Sequence, residues 1–197
     1  DWLSWRRTLD SWGYSPLDGI NSENVAGLQP AWTLSSGFTH NHEAAPIVND
    51  GVMFVTSTFN RLFALDATNG DILWQYTHDL PPDVFHRVCC DHVNRGVALY
   101  EDLVYMATLD ALLIAFDART GDIVWEQTVE DYTNSYTMTL APLVVNGKVL
   151  VGVSGGEYGI RGFIQAFDAL SGESVWKTYT IPEPGEPGSE TWEGDAW

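Results

Sequence analysis

The stretch Phe63-Ala-Leu-Asp66-Ala-Thr-Asn-Gly70-Asp-Ile-Leu-Trp74 decides the fold, because it returns twice. Ile114-Ala-Phe-Asp117-Ala-Arg-Thr-Gly121-Asp-Ile-Val-Trp125 is the second copy, and Gln165-Ala-Phe-Asp168-Ala-Leu-Ser-Gly172-Glu-Ser-Val-Trp176 is the third. The three tryptophans stand 51 residues apart each time. Three copies at one period signal a repeat architecture. Each copy reads as an apolar strand ending in Asp-Ala, a turn whose Gly takes φ > 0, and a second strand running into Trp. The Asp is placed to accept hydrogen bonds from turn amides. The Trp is placed to pack between neighbouring units.

A second hairpin precedes each copy. Pro46-Ile-Val-Asn-Asp-Gly51-Val-Met-Phe-Val, Ala98-Leu-Tyr-Glu-Asp102-Leu-Val-Tyr-Met and Pro142-Leu-Val-Val-Asn-Gly147-Lys-Val-Leu-Val all set apolar alternation around a turn. Each unit therefore offers four strands in roughly 50 residues, the blade of a β-propeller. The fold class is all-β, with about three four-stranded blades. Expected boundaries are an N-terminal segment 1–31, repeats over 32–85, 86–134 and 135–181, and a connection over 182–197. Propellers close with roughly 4–8 blades, so three blades imply part of a longer propeller. The rival is a small protein that closes by oligomerising.

Composition fits this reading and removes other classes. The chain has 197 residues, 9 Lys or Arg and 27 Asp or Glu, for a formal charge of −18. A nucleic-acid binder needs a basic face, and an anionic membrane surface repels such a chain. No apolar run reaches the roughly 18 residues of a membrane-spanning helix.

Three features stand outside the repeat. The third unit carries Ser154-Gly-Gly-Glu-Tyr-Gly-Ile-Arg-Gly162 between its second and third strands, where the second unit has only Leu109-Asp-Ala-Leu. Such glycines let backbone approach a ligand, or simply make a long flexible hairpin. Cys89 and Cys90 are the only cysteines and are adjacent. Adjacent Cα atoms lie about 3.8 Å apart, below the usual disulfide range of about 4.4–6.8 Å. The pair is either two reduced thiols or a strained local bridge. His86, Cys89, Cys90, His92, His40, His42 and Glu43 also include zinc-ligand types, but adjacent cysteines depart from the Cys-x₂₋₄-Cys spacing of structural zinc sites. No hydrolase elbow, phosphate loop or HExxH is present. Gly156, Gly159 and Gly162 precede a strand rather than a helix, so they are no dinucleotide fingerprint.

Together these pieces resemble the pyrroloquinoline-quinone (PQQ) dependent alcohol dehydrogenases. Ala-x-Asp-Ala-x-x-Gly-x-x-x-Trp is similar to that family's tryptophan-docking motif. Cys89-Cys90-Asp-x-Val-Asn-Arg95-Gly, Ser154-Gly-Gly-Glu157, His42-Glu43-Ala-Ala-Pro46 and the opening Asp1-Trp2 through Leu17 fit the same family. The resemblance implies an eight-bladed propeller with quinone and metal on the axis. It implies oxidation of a small alcohol in the periplasm, with electrons passed to an acceptor such as cytochrome c. Carried over by position, Cys89 and Cys90 would form a disulfide stacked on the quinone. Glu43, Arg95 and Thr139 would bond its polar edge, Ser154, Gly155 and Gly156 would lie near its carboxylates, and Glu157 would bind Ca²⁺ or a lanthanide.

The residue chemistry agrees: an Arg fork suits a carboxylate and a carboxylate suits a hard cation. In the family, the catalytic Asp, a metal-binding Asn and the tryptophan of the second quinone face follow later than Trp197. No catalytic residue is therefore expected within this chain, and Trp197 is not given the stacking role. The segment alone is expected to be inactive. Glu126, Glu130 and Asp131 read as surface charges. The rivals are a non-catalytic propeller scaffold and a quinoprotein acting on sugars or aldehydes. A scaffold would need the docking motif but neither Cys89-Cys90 nor Glu157.

Overall fold

The computed structural model describes residues 1–8 and 10–194; Trp197 lies outside the described residues. Each repeat forms one four-stranded antiparallel sheet in simple meander order. Blade 1 is β1 (Ile47–Asn49), β2 (Val52–Ser57), β3 (Arg61–Asp66) and β4 (Ile72–Thr77). Blade 2 is β5 (Val97–Tyr100), β6 (Leu103–Ala107), β7 (Leu112–Asp117) and β8 (Ile123–Thr128). Blade 3 is β9 (Leu143–Val145), β10 (Lys148–Gly152), β11 (Phe163–Asp168) and β12 (Ser174–Tyr179). Helical structure among the described residues is confined to short 3-10 turns.

Local chemistry explains the hairpins. Asp50 and Gly51 have φ of 47° and 78°, and Asn146 and Gly147 have 49° and 69°. Left-handed pairs of this kind match the twist of two-residue hairpin turns. The β3–β4, β7–β8 and β11–β12 pairs each carry an irregularity at the same repeat position, after Ala64, Ala115 and Ala166. One connection differs from the sequence reading. Leu112 already belongs to β7, so the short loop of blade 2 is Thr108–Ala111. Thr108 closes it, because its hydroxyl accepts from the Leu112 N–H at 3.0 Å.

Burial follows blade order. In β6 every residue is buried. Val104 and Met106 pack toward blade 1 with Phe54, Leu62, Ile114 and Phe116. Leu103, Tyr105 and Ala107 pack toward blade 3 with Leu113, Val149, Val151 and Phe163. A strand with a neighbouring sheet on both faces loses the in–out alternation. The outer strands β4 and β8 retain it. Each large side chain fully buried here stabilises the fold by about 1.5–3 kcal/mol.

The repeated tryptophan locks each blade to the next. Trp74 donates its indole N–H to Ala118 O at 3.0 Å, and Trp125 donates to Ala169 O at 3.1 Å. Trp32 makes the same bond to Ala67 O at 3.2 Å, so it occupies the docking position ahead of blade 1. Each ring lies flat on the turn glycine: a Cβ on Gly70, Gly121 or Gly172 would come within 2.6–2.7 Å of it. The turn itself is tied by its Asp. Asp117 accepts from the N–H groups of Arg119 and Thr120, and Asp168 from those of Leu170 and Ser171. Trp176, the third repeat tryptophan, is 40% exposed on β12.

The N-terminal segment joins this frame by backbone pairing. Trp2 and Val48 exchange N–H···O bonds of 2.7 and 2.9 Å, which adds a bridge to the free edge of β1.

Candidate functional site

The loops just before the first strand of each blade converge. A Cβ placed on Gly96 would lie 3.5 Å from Ala45 O and 3.7 Å from Ala141 Cβ. The repeat thus brings 45, 96 and 141 together just ahead of the first strand of each blade. The candidate site is built on this junction.

Four of the sequence-derived residues form one continuous bonded chain. Arg95 Nη2 pairs with Glu43 Oε2 at 2.9 Å. Its Nη1 donates to Thr139 Oγ1 at 2.5 Å, and its backbone N–H donates to Thr139 O at 3.1 Å. The hydroxyls of Thr139 and Ser154 are 3.5 Å apart. Ser154 is fixed in turn by a two-way backbone bridge to Thr137, at 2.7 and 3.2 Å. Blades 1, 2 and 3 each supply part of this chain. Thr139 is buried, whereas the side chains of Arg95 and Glu43 are 43% and 37% exposed. An ion pair so exposed adds little stability, about 0–1 kcal/mol. Its value here is positional: the guanidinium is aimed and its outer face stays open.

The Gly-rich loop leaves this chain directly. Gly155 has φ of 126°, and a Cβ there would stand 2.3 Å from Ser135 O. Only glycine fits. Gly156 has open space where a Cβ would point. Gly156–Tyr158 then forms one 3-10 turn that carries Glu157. Among the described residues, the Glu157 carboxylate makes no hydrogen bond or ion pair, and it is exposed. Its nearest cation in sequence, Arg161, is engaged elsewhere. Arg161 pairs with Glu183 at 2.8 Å and with Glu186, donates to Ile181 O at 2.8 Å, and lies over the Tyr179 ring.

Cys89 and Cys90 are bonded to each other, across a Cα–Cα distance of 3.7 Å. Of the two alternatives left by the sequence, the structure has the bridge. Both residues are exposed in a bend, not in a strand. With both sulfurs in the bridge, neither is a zinc ligand. Asn94, buried two residues from Gly96, anchors the segment. Its amide donates to Ala107 O at 2.8 Å, and its carbonyl accepts the Gly96 N–H at 3.0 Å. Asn94 is a positioning residue that the sequence reading did not single out. The available signal was a polar side chain between apolar Val93 and the start of β5.

Beside the bridge, His40 Nδ1 and His92 Nδ1 lie 3.3 and 3.0 Å from Asp91 Oδ1. The His92 N–H donated to its carboxylate holds Asp91 below the usual carboxylate range. Burial pushes the His92 imidazole below its ordinary value, against the opposing pull of Asp91. Two of the three acids read as surface charges have structural partners. Glu130 pairs with Lys177 at 2.6 Å, tying the chain just past β8 to β12, and Asp131 caps the 3-10 turn at Tyr132–Asn134.

These features place the chain in a class, the quinoprotein dehydrogenase propellers. The model of the family described as glucose/ethanol/alcohol dehydrogenase, β-propeller domain, matches residues 2–197, and the chain belongs to that family. It is 44% identical over 202 residues to the quinoprotein alcohol dehydrogenase PedH of Pseudomonas putida, covering 93% of this chain and 34% of that protein. Among solved structures, the quinohemoprotein alcohol dehydrogenase ADHIIG of Pseudomonas putida superposes with a TM-score of 0.91 at 44% identity, over 94% of this chain and 28% of that one. A europium-containing methanol dehydrogenase superposes with a TM-score of 0.88 at 41% identity, over 92% and 32% of the two chains. The chain thus spans about a third of the length of the relatives it matches.

Proposed function

We propose that this chain supplies three blades and one side of the cofactor site of a quinoprotein that oxidises alcohols to aldehydes. The observation that carries the reading is the bonded chain Glu43–Arg95–Thr139–Ser154, which runs directly into the Gly155–Glu157 loop. The donor set fits PQQ, a tricarboxylate. Arg95 offers a fork with one open face, Thr139 and Ser154 offer hydroxyls, and the Gly155–Gly156 backbone allows close approach. When bound, the quinone supplies the two-electron oxidation and a hard cation supplies Lewis acidity.

This chain's residues bind and orient. Arg95 neutralises an anionic edge while Glu43 and Thr139 hold its plane. Ser154, Gly155 and Gly156 line the carboxylate side. The Cys89–Cys90 bridge, exposed and without rotatable thiols, offers a flat polarisable surface for stacking. Glu157, unpaired among the described residues, is available to a hard cation, which prefers oxygen ligands. We take that cation to be Ca²⁺ or a lanthanide; the similar methanol dehydrogenase described above contains europium. The repeat boundaries 32–85, 86–134 and 135–181 belong to this proposal. So do small alcohols as substrate, an electron acceptor such as cytochrome c, and the periplasm, an oxidising compartment that suits the bridge. No helix of the described residues is long and apolar enough to cross a membrane.

The test uses the full-length protein stripped of metal and quinone. Adding PQQ with Ca²⁺ or a lanthanide should give saturable cofactor binding, read from the quinone's absorbance, and dye-coupled oxidation of ethanol. Glu157→Gln should raise the metal concentration needed for both. Absence of PQQ binding by the wild-type protein would sink the reading in favour of a propeller scaffold. An unchanged metal titration in Glu157→Gln would remove Glu157 from the ligand set.

A further inference from the structure

His40, Asp91 and His92 have no role in the site described above, yet loop and blade bring them together. Each offers one ligand atom, and the three atoms lie within 4.8 Å of one another. We propose that they form a binding site for a divalent d-block cation of the zinc class, tying the segment before blade 1 to the segment of the Cys89–Cys90 bridge. This proposal is independent of the quinone reading.

The donor chemistry favours such an ion. Two imidazoles and one carboxylate suit borderline cations rather than Ca²⁺, which prefers oxygen alone. The spacing also fits. Zinc–ligand bonds of about 2.0–2.1 Å in a tetrahedron put neighbouring ligand atoms about 3.3 Å apart. His40 Nδ1 and His92 Nδ1 stand 3.3 and 3.0 Å from Asp91 Oδ1. The shorter contact is not an aligned hydrogen bond: His92 Nδ1 is buried and, although 3.0 Å from Asp91 Oδ1, makes no hydrogen bond among the described residues. A buried nitrogen without an aligned hydrogen bond is costly, and a cation between the three groups would satisfy it.

The ligands are also held in place. The His92 ring stacks on Phe59 at 4.7 Å and meets Phe85 edge-on at 4.4 Å. Phe59 also takes the edge of the His40 ring at 5.2 Å. Asp91 accepts the N–H groups of His92 and Asn41, at 2.8 and 3.4 Å. The His40 side chain is 42% exposed, which gives an ion its way in and leaves a fourth position for water. The third histidine of the region, His42, is bonded to Ser36 Oγ at 3.0 Å and stays outside the cluster.

The test uses the full-length protein with saturating Ca²⁺, so that any hard-cation site is filled. Zn²⁺ is titrated by calorimetry, and Co²⁺ is added as a spectroscopic probe of coordination geometry. The wild-type protein should take up Zn²⁺ saturably and give visible Co²⁺ bands of tetrahedral intensity. His40→Gln and Asp91→Asn should each weaken Zn²⁺ binding about tenfold or more; Asn tolerates the left-handed backbone of Asp91. Should either variant fail to fold, diethyl pyrocarbonate labelling of the wild-type protein decides. Zn²⁺ should protect His40 and His92 while His86 is labelled as before. PQQ binding, measured on the same samples, reports separately on the quinone site. Absence of Co²⁺ bands and of histidine protection overturns the proposal, as does Zn²⁺ uptake unchanged in both variants.

Discussion

Replacing Gly121 with Ala tests the coupling that holds consecutive blades together. Gly121 has φ of 77°, and its missing Cβ faces Trp74 Cδ2 at 2.7 Å. Alanine in the left-handed region costs about 1–2 kcal/mol. The methyl cannot share space with the indole, so the ring must leave the turn. That removes the Trp74–Ala118 hydrogen bond, worth about 1 kcal/mol. It also disturbs the contacts of Trp74 with Phe54 and Phe116, whose centroids lie 6.0 and 6.3 Å away; such aromatic pairs contribute about 0.5–1.5 kcal/mol each. The expected loss for Gly121→Ala is about 3–5 kcal/mol. Urea unfolding of the full-length protein, followed by far-UV circular dichroism, reads it as a lower midpoint at constant slope. Two comparisons isolate the ring. Gly51→Ala has a similar φ of 78° with nothing in the way, so it should show the backbone cost alone. In a Trp74→Leu background Gly121→Ala should cost only that same 1–2 kcal/mol or so, leaving a coupling of about 2–3 kcal/mol. Equal cost of Gly121→Ala with and without Trp74 would refute the docking argument.

The remaining predictions concern the bridge, the charges and the metal loop. Alkylation read by mass should label Cys89 and Cys90 only after reduction. Cys89→Ser should weaken PQQ binding more than it lowers the melting temperature, because so short a loop constrains the unfolded chain little. Asp66, Asp117 and Asp168 sit below the usual carboxylate range, chiefly through bonds from the Thr68 hydroxyl, the Arg119 N–H and the Ser171 N–H. A lowered native pKa means that their contribution is complete above the unfolded value of about 3.9 and is lost as pH falls through the native value. Acid titration of Asp117→Asn, followed by circular dichroism, should therefore show a shallower loss of stability below about pH 4 than the wild type. Gly155→Ala should distort the loop carrying Glu157, since its Cβ would meet Ser135 O. The variant should need more metal for dye-coupled activity, and its melting temperature without metal should fall as well, because alanine is strained at a φ of 126° and the atom in its way is backbone.

The sequence by itself determined the blade and nominated the residues of the candidate site. The period between Trp74, Trp125 and Trp176, the turn glycines and the strand alternation are local features, set by backbone sterics and burial. They foretold the hairpins, the Asp-capped turns and the indole docking, and the insertion after Ser154 marked the one loop that departs from the repeat. Tertiary structure decided what meets what. Glu43, Arg95, Thr139 and Ser154 span more than a hundred residues of chain, and only the side-by-side packing of blades brings their atoms into bonding range. It also tied Arg161 to Glu183 and Glu186, which leaves Glu157 without an ion pair among the described residues, and gave Glu130 a partner in Lys177. His40 and Asp91 became neighbours in the same way. The physical reason is range: dihedral preference and hydrophobic period act over a few residues, whereas an ion pair or a ligand set depends on distances that only the packed blades fix.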